Sequence, residues 1–382
     1  IGKVYAGRNG SVGAITEDLI DTSLESDAAI AALRSTPSGA FGSCRYKLKD
    51  LETNRREYER LIEVFKAHNI GYFFYNGGGD SADTCYKVSQ LSEKMGYPVQ
   101  AIHVPKTVDN DLPITDCCPG FGSVAKYIAV STLEASFDVR SMAKTSTRIF
   151  VLEVMGRHAG WIAAAGGLVE DYSIPVVILF PEVEFDQEKF LARVDAKVKK
   201  HGYCTVVVSE GCHYPDGRFI ADQGIKDVFG HAQLGGAAPV VANMIKDALG
   251  YRYHWAVADY LQRAARHIAS ATDVRHAYEL GKKAVKLALK GRNSVMPTVI
   301  RVADAPYEYR IGYAELKDVA NVEKFMPRDF ISKDGYGITP KCKRYLRPLI
   351  QGEDYPAYEA GLPRYVTLRN AAVAKKLPKF EL

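Results

Sequence analysis

The sequence has no hydrophobic run long enough to cross a membrane and no strong charge of one sign. Its longest apolar stretches, such as residues 174–181, fall well short of the ~20 residues that a transmembrane helix needs, and no signal peptide is recognisable. Fifty basic residues against 45 acidic ones leave a net charge of +5 without a dense basic stripe. These absences argue against a membrane protein and against a nucleic-acid partner, whereas a mild positive excess suits a small anionic substrate.

Paired cysteine motifs are also missing. The chain has seven cysteines, and none of their spacings matches the CxxC pairs that bind zinc. Adjacent Cys117 and Cys118 have poor geometry for one disulfide, so we expect reduced thiols in a cytoplasmic protein. An initiator methionine is absent as well. The chain begins at Ile1 as if entering a strand, and we expect the natural protein to start earlier.

Short apolar runs alternate with helical patterns, which is typical of a parallel α/β sheet. Strands are predicted at residues 71–76, 98–104, 147–154, 174–180 and 203–209, and helices at about 55–67, 83–94, 124–140, 186–199, 240–248 and 272–290. The last forty or so residues, rich in Pro, Tyr and Arg, are predicted to form an irregular wrap. A length of 382 residues, 47% of them hydrophobic, favours about two domains.

A glycine-rich loop, Gly77-Gly78-Gly79-Asp80-Ser81, follows the first of these predicted strands. In open α/β sheets ligands bind beyond the carboxyl ends of the strands, and glycines let backbone N–H groups approach phosphate oxygens at a helix N-terminus. The same residues also suit an ordinary tight turn. The loop contains neither the dinucleotide fingerprint GxGxxG nor the Gly-Lys-Ser/Thr of a Walker A sequence.

The loop after the second predicted strand carries two carboxylates, Asp109 and Asp111, beside Lys106 and Thr107. Carboxylates at i and i+2 can divide the work of a phosphoryl transfer, because one can take a proton from the attacking hydroxyl while the other holds Mg²⁺. The sequence Asp-Asn-Asp is also good composition for a turn or a helix N-cap.

Two further strand ends carry Met155-Gly156-Arg157 and Glu210. An arginine there can clamp a transferring phosphoryl group, and a glutamate can accept hydrogen bonds from sugar hydroxyls, although both are common surface residues too. His158 is a lone histidine, which is more often structural than a catalytic base. Together these parts predict a phosphotransferase acting on a small anionic substrate.

The same motifs, in order and at fitting spacings, resemble the phosphofructokinase family over essentially the whole chain. The segments that carry the resemblance are Pro-Lys-Thr-Val-Asp-Asn-Asp at 105–111, Val-Met-Gly-Arg at 154–157 and Tyr-Leu-Gln-Arg at 260–263, together with the glycine loop. The resemblance implies two doubly wound, Rossmann-like parallel-sheet domains with the active site in the cleft between them. It also implies phosphorylation of the 1-hydroxyl of fructose 6-phosphate, with Mg²⁺ as cofactor.

The resemblance gives roles to individual residues. It implies that Asp109 is the general base, that Asp111 is a magnesium ligand and that Arg157 stabilises the transferring phosphoryl group. The residues implied to contact fructose 6-phosphate are Thr107, Met155, Gly156, Glu210, Tyr260 and Arg263. The residues expected around the donor phosphate are Arg45, Gly78, Gly79, Asp80, Ser81 and Lys106, with Asp80 as a second metal ligand.

Two more arginines point to a shared site. Arg148, nine residues before Arg157, resembles the arginine that family members lend to a neighbouring subunit. Arg252 lies near the place of a second such arginine. The resemblance therefore implies a homodimer or homotetramer whose active sites are built by two subunits.

Positions 80 and 106 bear on the phosphoryl donor. Family members that use ATP are similar to one another in having Gly-Gly-Asp-Gly-Ser in the first loop, with Gly at position 80, and Gly at position 106. Pyrophosphate users have Asp at 80 and Lys at 106, as this chain does. A side chain at 80 fills space that a nucleoside needs, and an ammonium at 106 can hold the departing phosphate. We therefore expect pyrophosphate as the donor and a reversible glycolytic reaction, with an ATP-dependent phosphofructokinase as the alternative.

One departure from the family pattern leaves another class of function open. Gly79 stands where most family members have an aspartate that helps to hold magnesium, which suggests a non-catalytic sugar-phosphate-binding paralogue. The intact pair Asp109 and Arg157 speaks against it, because a binding protein has no use for a base there. A nicotinamide oxidoreductase is more distant still, since the GxGxxG fingerprint with its downstream ribose acid is missing.

The resemblance also suggests how the chain divides. We expect residues 1–124 with about 270–320 to form a discontinuous phosphoryl-donor domain, and residues 125–269 with about 321–382 to form the fructose 6-phosphate domain. The family's first strand and its Gly-Gly phosphate loop are expected before Ile1.

Overall fold

A computed structural model describes residues 2–48, 50–226, 232–234 and 236–382. The helices in these ranges are α1 (Ser11–Ile15), α2 (Asp27–Ala32), α3 (Arg55–Ala67), α4 (Gly79–Lys94), α5 (Phe121–Met142), α6 (Trp161–Ala165), α7 (Gln187–His201), α8 (Ala237–Leu249), α9 (Asp259–Ala264), α10 (Ala271–Leu289) and α11 (Pro340–Leu349). The strands are β1 (Tyr5–Gly7), β2 (Leu19–Asp21), β3 (Tyr72–Gly77), β4 (Gln100–Pro105), β5 (Ile149–Val154), β6 (Val176–Leu179), β7 (Cys204–Ser209), β8 (Asp222–Lys226), β9 (Ala232–Leu234), β10 (Tyr253–Val257), β11 (Val295–Asp304), β12 (Tyr307–Glu315), β13 (Tyr358–Glu359) and β14 (Leu362–Pro363).

Two four-stranded sheets form the framework. One has the order β10-β5-β7-β6 and is parallel throughout. The other has the order β12-β11-β4-β3, in which β3, β4 and β11 run parallel and β12 returns antiparallel to β11. The predicted α/β class with parallel sheets is therefore confirmed.

The all-parallel sheet is covered by helices on both faces. Every residue of β6 and β7 is buried, which explains why these strands contain consecutive Val and Ile residues instead of an alternating apolar and polar pattern. Neighbouring residues enter opposite cores: Val207 packs in the cluster that contains residues of α5 and α6, whereas Val206 and Val208 pack with residues of α7 and α8. This double cover fixes the positions of the strand ends that hold the site.

The mixed sheet is also packed between helices, but it is less completely enclosed. Residues of α10 pack against Ile102 and Val295 on one face, and residues of α4 pack near Ala101 and Met296 on the other. Strand β3 lies at the edge of the sheet, and Phe74 at its centre is 36% exposed.

The predicted helices and strands are found close to their expected bounds, and the structure contains further elements that the sequence analysis did not predict. Helix α3 has the predicted ends, and the five predicted strands begin and end within two residues of β3, β4, β5, β6 and β7. Strand β10 and the long hairpin of β11 and β12 were not predicted. Helix α11 extends into the predicted irregular tail, whereas residues 350–382 do follow an extended course with only short pairings.

Two further expectations concern the whole chain. All seven cysteines are free thiols, in agreement with the sequence analysis. No helix among the described residues is both long and apolar enough to span a membrane.

Candidate active site

The loops after β3 and β4 lie side by side. The backbone N–H of Lys106 donates to the carbonyl oxygen of Gly77 at 2.9 Å. A methyl group placed on Gly78 would lie 3.9 Å from the Thr107 Cβ, so the glycine loop is in contact with the loop that carries Asp109. The parallel register of the two strands, with Gly77 opposite Pro105, brings their carboxyl ends together.

The glycine loop opens into a helix, as a phosphate-binding loop must. Gly78 is the N-cap of α4 and Gly79 is its first residue, so the free N–H groups of the first turn point into the loop. Asp80 is exposed and forms an ion pair with Lys47, whose Nζ lies 2.6 Å from the carboxylate. Arg45 is exposed two residues before Lys47.

The Asp109 carboxyl group is held in a partly buried position. The Thr107 hydroxyl accepts a hydrogen bond from the Asp109 backbone N–H at 3.1 Å and donates to Asp109 Oδ2 at 3.4 Å. Burial, and after it the nearby carboxylates of Asp111 and Glu210, raise the pKa of Asp109 to about 6. A carboxylate with a pKa near the working pH is well matched to act as a general base.

The contribution of Glu210 to this pKa links the two sheets. Asp109 follows β4 and Glu210 follows β7, so their carboxylates lie near each other across the space between the sheets. The structure thus brings together Lys106, Thr107, Asp109 and Glu210, as the sequence predicted for a site in a cleft.

Asp111 has the character of a cation ligand. Its Oδ1 atom is buried and has no hydrogen-bond partner among the described residues. Burial is the main cause that raises the pKa of Asp111, and the negative charge of Glu323 adds to it. Since Mg²⁺ is usually bound by one or two carboxylates and by substrate phosphates, this unpaired oxygen fits the predicted ion. The described residues include no group of three or more acidic, His or Cys side chains that could enclose a metal by themselves.

The part of the site predicted to bind the sugar is built from tightly packed backbone. Gly156 has φ +129, and a Cβ there would meet the carbonyl oxygen of Ala159 at 2.6 Å, so only glycine fits. Its N–H donates to Glu210 Oε1 at 3.3 Å, and its carbonyl accepts from the Ser209 hydroxyl at 2.5 Å. Burial raises the pKa of Glu210, and the Arg157 guanidinium acts in the opposite direction.

A cavity of about 440 Å³ adjoins these loops, and its lining includes Met155, Glu210, Asp259 and Gln262. Gln262 is 2% exposed, accepts from the Met155 N–H at 3.3 Å and donates to the Asp259 carbonyl oxygen at 2.9 Å. This volume suits a sugar phosphate, and Gln262 ties α9 to the Met155 loop.

Tyr260 and Arg263 lie on the same short helix as Gln262. Both are exposed, and the Arg263 guanidinium stacks over the Tyr260 ring at 3.9 Å from its centroid. They are next to the cavity along the chain but are not among its lining residues.

Arg148 and Arg252 lie at the amino ends of the strands, opposite the carboxyl ends that carry the site. The Arg148 N–H donates to the Arg252 carbonyl oxygen at 3.0 Å, where β5 and β10 begin. Strands rise about 3.3 Å per residue, so Arg148 is about 23 Å from Met155, beyond the reach of its side chain. Arg148 instead lines a second cavity of about 490 Å³ with Arg140, Lys144 and Lys199. The structure therefore does not bring these two arginines to the site of their own chain.

Sequence reasoning missed three residues of the site. Gln262 stands inside the Tyr-Leu-Gln-Arg motif, where the resemblance implies roles only for Tyr260 and Arg263. Lys47 and Lys324 had no signal at all, since each lies in an irregular segment far along the chain from the residues it contacts.

Comparisons with known proteins agree with this geometry. A family model described as Phosphofructokinase matches residues 2–288. A Methylococcus capsulatus protein named pyrophosphate--fructose 6-phosphate 1-phosphotransferase is 73% identical over 99% of this chain and 90% of its own length. A protein of the same name from Halomonas elongata is 68% identical over 100% of this chain and 92% of its own. The crystal structure of a pyrophosphate-dependent phosphofructokinase from Nitrosospira multiformis matches with a TM-score of 0.92 at 69% identity, covering 100% of this chain and 91% of that one.

Proposed function

The chain belongs to the phosphofructokinase family, and we propose that it transfers a phosphoryl group from pyrophosphate to the 1-hydroxyl of fructose 6-phosphate. The products are fructose 1,6-bisphosphate and phosphate, and the reaction is reversible. The observation that carries this proposal is the position of Asp109, a carboxyl group with a pKa of about 6. It lies between the glycine loop after β3, here called the donor loop, and the loops after β5 and β7, here called the sugar loops.

Asp109 is the base in this mechanism. Its carboxylate takes the proton of the 1-hydroxyl as the sugar oxygen forms a bond to the phosphorus atom. The bond from that phosphorus to the bridging oxygen of pyrophosphate breaks, and phosphate leaves. Thr107 orients the carboxylate through its hydroxyl, and Glu210 accepts hydrogen bonds from the sugar.

The remaining charged groups stabilise the transfer. Arg157 neutralises negative charge on the moving phosphoryl group, and Lys106 does so on the phosphate that departs. Asp111 would hold Mg²⁺ together with phosphate oxygens of the donor, and the bound ion supplies further charge neutralisation. Asp80 as a second ligand would have to exchange its ion pair with Lys47 for the metal.

Pyrophosphate is favoured over ATP by the side chain of Asp80. It extends from the first turn of α4 and is paired with Lys47, and the proposal is that it fills space that a nucleoside would need. The test is turnover of fructose 6-phosphate with Mg²⁺ and either donor, measured separately and in competition. We expect pyrophosphate to be preferred, and a preference for ATP would overturn the proposal.

We further propose that Arg148 and Arg252 act in the site of a neighbouring subunit of a homodimer or homotetramer. Their distance from Met155 in the same chain supports this. Arg148→Ala should raise the KM for fructose 6-phosphate, and mixing it with Asp109→Asn should restore some activity through hybrid sites. No recovery after verified subunit exchange would contradict shared sites.

Two coarser proposals complete this description. The donor site belongs to a domain of residues 1–124 with about 270–320, and the sugar site to residues 125–269 with about 321–382. A cytoplasmic location is supported by the seven free thiols.

A further inference from the structure

Two consecutive residues, Glu323 and Lys324, lie between the loop that carries the base and the loop that carries Arg157. They come after residue 288, where the family match ends. Their segment has no regular secondary structure, so its course is set by the contacts of its side chains and backbone. We name these two residues the bridging segment.

On one side, Lys324 is tied to the catalytic loop. Its Nζ donates to Asn110 Oδ1 at 3.3 Å and to the carbonyl oxygens of Thr115 and Asp116 at 3.0 and 3.1 Å. Its backbone N–H donates to the Asp111 carbonyl oxygen at 2.7 Å. Four hydrogen bonds from one residue thus hold the chain between the two carboxylates and directly after them.

Asn110, which separates those carboxylates, shows what this attachment controls. It is fully buried and has φ +57, a left-handed conformation that Asn tolerates better than most residues. Its Oδ1 also accepts from the Cys118 N–H at 3.0 Å, and its Nδ2 donates to the Tyr345 hydroxyl at 2.9 Å. Because a change of this conformation would turn the backbone at Asp109 and Asp111 together, the contacts of Asn110 help to set the direction of both carboxylates, together with the Thr107 hydroxyl at Asp109.

On the other side, the bridging segment is tied to the loop after β5. Glu323 pairs with His158, the neighbour of Arg157, at 3.0 Å. The Trp161 indole N–H donates to the Lys324 carbonyl oxygen at 3.3 Å, and the Lys324 ammonium lies 5.4 Å from the Trp161 ring centroid. The same two residues therefore contact both halves of the site.

We propose that the bridging segment fixes the position of Asp109 and Asp111 relative to Arg157, and that Lys324 is a positioning residue for the phosphoryl transfer. The inference rests on the proposed function. Proton removal and phosphoryl transfer require the base and the guanidinium to face the same substrate, and these groups follow strands of different sheets. A direct connection between their loops holds this spacing without touching the substrate.

The first test compares Lys324→Met with Lys324→Arg. Misplacing the base by a fraction of an ångström should reduce kcat by about 10- to 100-fold, while the KM for fructose 6-phosphate changes less than about threefold because Met155 and Glu210 are untouched. Arginine can donate to the same carbonyl oxygens and should recover part of kcat. The matched control is Lys341→Met, which removes an exposed lysine paired with Asp329 and should leave kcat unchanged.

A second variant keeps the inference testable if Lys324→Met folds poorly. Asn110→Gly retains access to the left-handed conformation but removes the side chain that Lys324 holds. Its kcat should fall similarly, and the double variant should be no slower than the worse single variant, since the two residues act as one unit. Effects that multiply, or a Lys324→Met variant with kcat within about twofold of wild type, would overturn the proposal.

An optical measurement separates this inference from the proposed function. Of the two tryptophans, Trp161 donates to the bridging segment and Trp255 lies on the edge strand β10, so Trp255→Phe leaves Trp161 as the reporter. In that background, Lys324→Met and Asn110→Gly should both shift Trp161 emission, and Lys341→Met should not. Absence of pyrophosphate turnover in the wild type would refute the proposed function, whereas unshifted emission would refute the connection between the two loops.

Discussion

The two sheets present their reacting groups in different ways. At the all-parallel sheet, Gly156 and Glu210 are joined by a direct hydrogen bond, and the strands before them are buried along their whole length or nearly so. At the mixed sheet, Asp80 and Lys106 are exposed, and Asp80 is held by an ion pair with Lys47. The proposed sugar end is built from packed backbone, and the proposed donor end from solvated charges.

This difference teaches which property of the enzyme can change easily. Packed backbone fixes geometry before the substrate arrives, so changes there carry a structural penalty as well as a functional one. Exposed charges have few packing partners, so they can be exchanged with little effect on the fold. Choice of phosphoryl donor should therefore be more readily altered than choice of sugar.

The largest expected effect is at Asp109, where the two ends meet. Asp109→Asn keeps the shape of the side chain but cannot accept the proton, so kcat should fall on the order of 10²–10⁴-fold. Substrate binding should change little, because the sugar loops are unaltered. Steady-state kinetics with pyrophosphate will measure this, and near-normal turnover would remove Asp109 from the role of base.

Next in size are substitutions at the exposed donor end. Lys106→Gly should reduce kcat/KM for pyrophosphate on the order of 10²-fold, because it removes a positive charge from the departing phosphate. Asp80→Gly should relieve the obstruction and increase use of ATP. The double variant should shift the donor ratio further than either single change, and melting temperatures should stay close to wild type. A large loss of stability would contradict the contrast between the two ends.

A pair of glycines tests the contrast directly. Gly156→Ala forces a side chain into φ +129 and against the Ala159 carbonyl oxygen, so we expect about a 10²-fold loss of kcat/KM for fructose 6-phosphate together with a lower melting temperature. Gly79→Ala places its methyl group where no atom lies within 4 Å. It should leave sugar kinetics and stability unchanged. Equal effects of the two substitutions would show that the ends are built alike.

The smallest effect is in the pH profile, and it probes the contact between the two ends. Since Asp109 must be deprotonated to act as a base and has a pKa of about 6, kcat/KM should fall about tenfold per pH unit below that value. Glu210→Gln removes a negative neighbour that raises this pKa, so the acidic limb should move to lower pH. The pH dependence of kcat/KM with pyrophosphate, measured for the wild type and for Glu210→Gln, tests this. An acidic limb at the same pH in both proteins would argue against an electrostatic effect of Glu210 on Asp109.

Much of this arrangement could be predicted from the sequence because it depends on short-range patterns. The Val-rich runs of β6 and β7 indicate buried parallel strands. The loops after β3, β4, β5 and β7 carry glycine, carboxylate and arginine at recognisable spacings. Strand β10 escaped prediction because it is an edge strand whose residues, among them Trp255, are largely exposed.

The contacts of Lys324 show the limit of such reasoning. Nothing in residues 320–326 repeats with a helical or strand period, and the side-chain partners of Lys324 lie more than 150 positions earlier in the chain. Long-range contacts of this kind follow from the packing of the whole molecule. The ion pair of Lys47 with Asp80 escaped for the same reason, since only the folded loop places the two together.

Gly211 has a consequence for the engineering of sugar specificity. A side chain at this position would overlap the carbonyl group of Arg157, so the backbones that follow β5 and β7 touch directly. Any remodelling of the neighbourhood of Glu210 to accept a different sugar will therefore displace the arginine as well. Directed evolution for a new acceptor should for this reason yield paired mutations in both loops, and few variants with only one of the two mutations should retain the wild-type turnover rate.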